Sequence, residues 1–205
     1  KGSHRLAQLA EKVTNRKESV KQADSKPVYI GHISVFVTSV RHSCGCSYTA
    51  GSIASAMTDL YNRNVHIKHD ADIPLPDNYM VKEILTDSDM VDAIRSGLVV
   101  YDAGVYSDLT DKQKDDMIRS DLRIMVSTAD DFDLKRLAKF IEEQKNSAED
   151  WLYVFNHVQK DKEKEILEIM DGYSVLILPQ HDYAKVPDEL RKEWEAAINW
   201  QISSF

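Results

Sequence analysis

Cysteine is almost missing from this chain. Two occur among 205 residues, and both fall in one "CGC" triplet, Cys44 and Cys46 around Gly45. A disulfide across one intervening residue is strained and no third cysteine offers another partner, so a disulfide-stapled scaffold is excluded. Free thiols fit a reducing, cytoplasmic setting. A basic excess is lacking too: 26 Lys and Arg stand against 34 Asp and Glu, a formal charge of −8, so nucleic acid is not favoured as a partner. No apolar run approaches the ~20 residues of a membrane span, and the opening "KGSHRLAQLAEK" has no signal-peptide core.

What is present suits one globular domain. The length supports one substantial core and is short for two, and the 42% hydrophobic fraction argues against disorder. Residues 1–28 stand apart. They are polar and charged, with Leu6, Leu9, Ala10 and Val13 at helical spacing before the aperiodic "KQADSKP". Two readings stand: a short helix and linker from something upstream, or an end set by cloning, of which "GSH" would be the remnant.

From residue 29 to 205 strand and helix patterns alternate. β-Branched apolar runs at 33–40, 65–69, 98–102, 122–128, 151–158 and 173–179 predict strands. Helical spacing predicts helices at 49–63, 87–97, 110–119, 131–144, 161–171 and 187–203, the second capped by Ser88 or Asp87 and closed by Gly97. Such alternation predicts right-handed crossovers and an α/β three-layer sandwich, its mostly parallel sheet of about 6–7 strands covered by helices on both faces. Ligands in such sheets sit beyond the carboxyl ends of the strands, so residues just after each strand are the ones to weigh.

The segment after the first strand, "RHSCGCSY" (41–48), leads into a helix whose N-terminal N–H groups and dipole would favour an anion. It resembles the loop of the MinD/ParA family of deviant Walker ATPases, K-G-G-x-G-K followed by two Ser or Thr. On that resemblance Arg41 takes the place of the signature lysine that reaches across a dimer. His42 and Ser43 replace two glycines, Gly45 retains the third, and Cys46 replaces the phosphate-contacting lysine. Ser47 matches the magnesium-binding hydroxyl and Tyr48 the position after it. The loop is thus degenerate: side chains stand where glycine lets backbone approach phosphate, and the charge that stabilises phosphoryl transfer is gone.

Further segments resemble the same family in order. "NVHIKHDAD" (64–72) is similar to a strand followed by two aspartates, here Asp70 and Asp72, of which the second orients the attacking water. "GLVVYDAG" (97–104) resembles the Walker B strand, with Asp102 as the carboxylate near magnesium. "WLYVFNHVQ" (151–159) places Asn156 near the base, and "LILPQHDYAKVP" (176–187) resembles the loop over the adenine around Pro179. Beside these assignments, the three aspartates also read as solvated strand ends or helix caps, and Asn156 as a turn residue.

The resemblance implies ATP or ADP with Mg2+ as cofactor if the site still works, or no cofactor at all. If active, Asp72 and Asp102 would be catalytic, and Ser47, Asp70 and Asp102 would hold the metal. It implies protein partners and a homodimer, in a positioning or scaffold role of the pilus-assembly, secretion, conjugation or partition type with weak or absent hydrolysis. The alternative is an active ATPase in which Arg41 supplies the missing charge. A third reading makes "CGC" a soft-metal pair, and a fourth pairs a nucleophilic cysteine with His42. "HIKHDAD" has metal-ligand types, but His66 and His69 are three apart on a strand and diverge. The last helix carries Asp188, Glu189, Glu193 and Glu195 on its polar side, unlike the basic helices that lie on membranes, so membrane contact is not favoured.

Overall fold

The computed structural model of the chain describes residues 31–69, 78, 80–178 and 186–202. The expected N-terminal helix and linker, Asp70, Asp72 and Pro179 lie outside the described residues.

Among the described residues seven strands form one sheet: β1 (Ile33–Ser39), β2 (Val65–His69), β3 (Val81–Glu83), β4 (Leu98–Val105), β5 (Leu122–Thr128), β6 (Trp151–Asn156) and β7 (Ser174–Ile177). They lie in the order β3-β2-β4-β1-β5-β6-β7, and each neighbouring pair is parallel. The α/β expectation therefore holds, with β3 as a strand the sequence pattern did not predict. It is three residues long at the sheet edge, too short to show an alternation.

Among the described residues six α-helices connect or follow the strands: α1 (Cys46–Tyr61), α2 (Asp87–Ser96), α3 (Asp111–Arg119), α4 (Asp131–Gln144), α5 (Glu163–Ile169) and α6 (Asp188–Ile202). The β1-to-β2 crossover runs one way along the sheet, while those from β3 to β4, β4 to β5, β5 to β6 and β6 to β7 run the other way. Right-handed connections therefore place α1 on one face and α2 to α5 on the opposite face. Helix α6 joins α1: the indole Nε1 of the fully buried Trp194 donates to Ser52 Oγ at 2.8 Å, and Arg191 reaches Asp59 at 2.9 Å.

Local chemistry sets the helix ends. Helix α2 starts at Thr86, whose hydroxyl accepts from Asp89 N–H while the Asp89 carboxylate accepts from Thr86 N–H, a reciprocal cap one residue upstream of the expected one. Thr110 and Gln113 cap α3 in the same way. Gly97 closes α2 at φ +73°, a left-handed conformation, and its N–H donates to Ala93. Helix α1 begins three residues earlier than its apolar spacing suggests, directly at Cys46.

The core lies in the central strands. Val35, Val37, Val100, Ile124, Val126 and Val154 are all inaccessible to solvent, as befits strands covered on both faces. An aromatic chain extends it, with Tyr106 edge-on to Phe140 and Phe140 edge-on to Trp151 at centroid distances of 4.7 and 4.9 Å.

Candidate functional site

Strand β1 lies between β4 and β5 and is followed by residues 40–45, which lead into α1. Its crossover runs opposite to those of its neighbours, so this carboxyl end is the topological switch point, where α/β sheets hold ligands. The ends of β5 and β6 bring Thr128 and Asn156 to the same region, and Asp102 lies within β4, which runs three residues beyond the expected strand end at 102.

Three sets of contacts fix the loop. The first is at Arg41, whose Nε donates to Asp133 Oδ1 at 2.5 Å. Asp133 is fully buried in the first turn of α4, and its other oxygen accepts from Thr128 Oγ1 at 2.6 Å and from the Cys44 thiol at 3.6 Å. The carboxylate beside it, through hydrogen bond and charge, raises the Arg41 pKa above its ordinary value. Burial first, and then the charge of Asp133, push the Cys44 thiol up to about 11. At neutral pH Cys44 is a buried, protonated donor rather than a thiolate.

The second set is at Asn156. Its side-chain N–H groups donate to Cys44 carbonyl at 2.8 Å, Gly45 carbonyl at 3.3 Å and Thr49 Oγ1 at 3.0 Å. Gly45 has φ +85°, and a Cβ there would stand 2.5 Å from Asn156 Nδ2, so the space beside the glycine is already filled by the amide. Ser43 is also left-handed, at φ +65°, a conformation unusual outside glycine.

The third set is at Cys46, the first residue of α1. Its Sγ lies 3.6 Å from the Val37 and Gly104 carbonyls. Burial, and after it the charge and hydrogen bond of Asp102, raise the Cys46 pKa well above the ordinary thiol value. Cys46 is therefore a neutral thiol lodged beside Asp102. Asp102 is buried, and its Oδ2 has no hydrogen-bond partner among the described residues.

Of the residues singled out from sequence, Arg41, Ser43, Gly45, Cys46, Ser47, Tyr48, Asp102 and Asn156 lie in one neighbourhood at the sheet edge; Asp70, Asp72 and Pro179 fall outside the described residues. Asn156 reaches the loop backbone itself. Ser47 and Tyr48 are half-buried in the first turn of α1. Asp133, Thr128 and Thr49 were missed by sequence reading. Asp133 stands in an acid run, "DDFD", whose N-capping role masks its other contacts, and its place after the strand next to β1 was the available signal.

The competing metal and nucleophile geometries diverge. His66 Nδ1 lies 3.0 Å from Ser96 Oγ, whereas His69 Nε2 lies 2.8 Å from Glu83. The His42 side chain is 85% exposed and sits 3.5 Å from Asp108. Among the described residues no group of three or more His, Cys, Asp and Glu could hold a metal ion.

Tested against a nucleotide with Mg2+, the loop fits poorly. Cys46, expected from sequence to stand at the phosphate-contacting position, is a neutral thiol, the loop's one arginine is held by Asp133, and the space beside Gly45 is filled by Asn156.

No protein-family model matches the sequence, and no curated protein matches it. Solved structures do. A plasmid partition protein from Borrelia burgdorferi is 13% identical with a TM-score of 0.58, and the match covers 86% of this chain and 100% of that one. A ParA family ATPase from Chlorobium tepidum is 11% identical with a TM-score of 0.54, over 84% and 98% of the two chains. The MinC:MinD cell division complex of Aquifex aeolicus provides a match at 10% identity and a TM-score of 0.53, over 82% and 88%. No helix among the described residues is long and apolar enough to cross a membrane. Strand order, loop position and these likenesses agree: the chain has the fold of the ParA and MinD ATPases.

Proposed function

We propose that this protein is a ParA/MinD-fold chain whose phosphate-binding loop has become a fixed structural element. In this reading it is a cytoplasmic positioning or scaffold protein, of the pilus-assembly, secretion, conjugation or partition type, with weak or absent ATP hydrolysis. The observation that carries the reading is that the loop's one cationic side chain, its Cys44 thiol and two of its carbonyls are held by the chain's own side chains: Asp133 on Arg41 and Cys44, Asn156 on the Cys44 and Gly45 carbonyls. Phosphoryl transfer depends on positioned positive charge, whereas the fold depends on apolar strands. The first can be lost while the second persists.

Partners in this reading are proteins, beginning with a second copy of the chain. The MinD fold also occurs in a complex with MinC, a precedent for a surface that recruits another protein.

One observation favours a second reading, an ATPase with an altered loop. Asp102 has a buried carboxylate oxygen without a hydrogen-bond partner among the described residues, and Ser47 stands at the head of α1. Phosphate release from ATP with Mg2+, paired with gel filtration with and without nucleotide, separates the two. The scaffold reading expects little or no release above the buffer rate and one elution volume throughout. Sustained turnover, or a nucleotide-dependent change of size, overturns it.

A further inference from the structure

Seven large apolar side chains are exposed among the described residues, and three of them, Leu85, Val91 and Ile94, fall within ten positions at α2 and its cap. Successive helical residues turn by about 100°, so Ala93, Met90, Ile94 and Val91 follow one another around α2 as one continuous apolar arc. The sheet covers only one side of that arc. Ala93 is inaccessible to solvent and Met90 is half-buried, packed with Ile84 and Val99, whereas Ile94 is 63% and Val91 47% exposed. A surface helix normally turns its apolar stripe inward. Here half of the stripe is left over.

Charge and chain path point to what covers it. Helix α2 carries Asp87, Asp89 and Asp92 against one Arg95. Residues 1–30 have the opposite balance: seven Lys and Arg with three Asp and Glu, which leaves 19 and 31 of the chain's 26 and 34 for the remainder. The same segment holds Leu6, Leu9, Ala10 and Val13, the i, i+3, i+4 and i+7 anchors of a helix that seats on an apolar surface. In that helical spacing Arg5, Lys12 and Arg16 fall along one flank of the anchors. The segment also enters the fold beside α2. Ile33 N–H donates to the Gly97 carbonyl at 2.6 Å, and a Cβ at Gly97 would lie 3.5 Å from the Gly31 carbonyl oxygen. Gly97 closes α2, about one helical turn beyond Ile94. The 14 residues between Arg16 and Gly31 can span about 45 Å, three times the ~15 Å length of α2.

We propose that residues 5–16 of this chain dock as a helix on the exposed face of α2, seating Leu6, Leu9 and Val13 against Met90, Val91 and Ile94. The contact buries the uncovered half of the α2 stripe and brings three cations to a helix with three aspartates. It fills from within the chain a face that would otherwise be open to another protein. The proposal draws on neither the loop nor its nucleotide reading.

Hydrogen–deuterium exchange of the whole chain, read by mass spectrometry on peptides covering 5–16, tests it. An isolated helix of this length is marginal in water, so the docked segment should exchange about tenfold or more slowly than a free peptide of the same sequence. Ile94→Lys puts a cation into the apolar face and suits the last turn of α2. It should return the segment to the free-peptide rate while peptides of the central strands stay protected. Val91→Lys repeats the test at the second exposed position, and Leu9→Asp makes it from the other side of the contact. Ile118→Lys, at a 69% exposed position on α3, should leave the protection unchanged. A tethered segment acts at an effective concentration near millimolar, so protection should not vary with protein concentration between about 1 and 100 μM. Free-peptide exchange of 5–16 in the wild type overturns the proposal. So does protection that survives Ile94→Lys, Val91→Lys or Leu9→Asp, or that is lost in Ile118→Lys. Protection that grows with concentration would assign the face to a second copy and equally contradict it.

Discussion

Asp133 receives three hydrogen bonds at a position with no solvent access. Replacing it by alanine strands the hydroxyl of Thr128 and leaves Arg41 to rehydrate, so the expected cost is about 2–4 kcal/mol by urea denaturation. Gly45→Ala should also destabilise, for two reasons. Its φ of +85° disfavours any Cβ, and that Cβ would meet Asn156 Nδ2 at 2.5 Å. About 2 kcal/mol or more is expected, of which the left-handed backbone accounts for about 1–2. A double-mutant cycle with Asn156→Ala divides the two contributions. The clash vanishes in the double mutant while the backbone strain remains, so the pair should be non-additive by at least about 0.5 kcal/mol. Full additivity would mean that the amide does not press on the glycine. Sequence reading brought Gly45, Cys46 and Asn156 forward as individuals. The hold of Asn156 on the Cys44 and Gly45 carbonyls was not legible, because it joins residues more than a hundred positions apart through the sheet order.

Among the elements, α1 and α6 are tied by one buried indole and one hydrogen bond. Trp194→Ala should cost about 3–5 kcal/mol through the cavity it leaves. Ser52→Ala should cost about 1–2 kcal/mol because the indole N–H is stranded. Comparable unfolding midpoints for wild type and Trp194→Ala would remove α6 from the folded unit. Strand β2 and helix α2 carry a different dependence. Ser96 Oγ donates to the Ala93 carbonyl, so its oxygen accepts from His66 Nδ1. Burial holds the His66 pKa below its ordinary value, against the pull of Asp92 and Asp89 and with a smaller push from Lys82. The unfolded chain therefore takes up the proton first. His66 contributes stability above the ordinary histidine pKa of about 6.5, and that contribution is lost as pH falls below it. In His66→Gln, unfolding midpoints between about pH 7 and 5 should fall less steeply than in wild type; an unchanged slope would contradict the assignment. Elements of strong period were readable in the sequence: among the described residues, six of seven strands and the six α-helices stand close to their expected places. The misses have local causes. Strand β3 is too short to alternate, and α1 starts earlier because its first turn packs small and polar residues, Cys46, Ser47 and Thr49, that carry no apolar stripe.

For the molecule as a whole, the sheet order and the likeness to ParA and MinD structures describe a scaffold, and a scaffold does not decide an activity. What decides it is whether the carboxyl edge of β1 still accepts a triphosphate. The fold was legible because apolar alternation is written along the chain. The site was only half legible: Cys46, where the resemblance expects a lysine, is a single letter, while the pairing of Arg41 with Asp133 required the sheet to bring β1 and β5 together. The most direct measurement is titration calorimetry of the whole chain with ATP and Mg2+. A loop filled by its own side chains predicts no saturable heat up to millimolar nucleotide, and micromolar binding would contradict it.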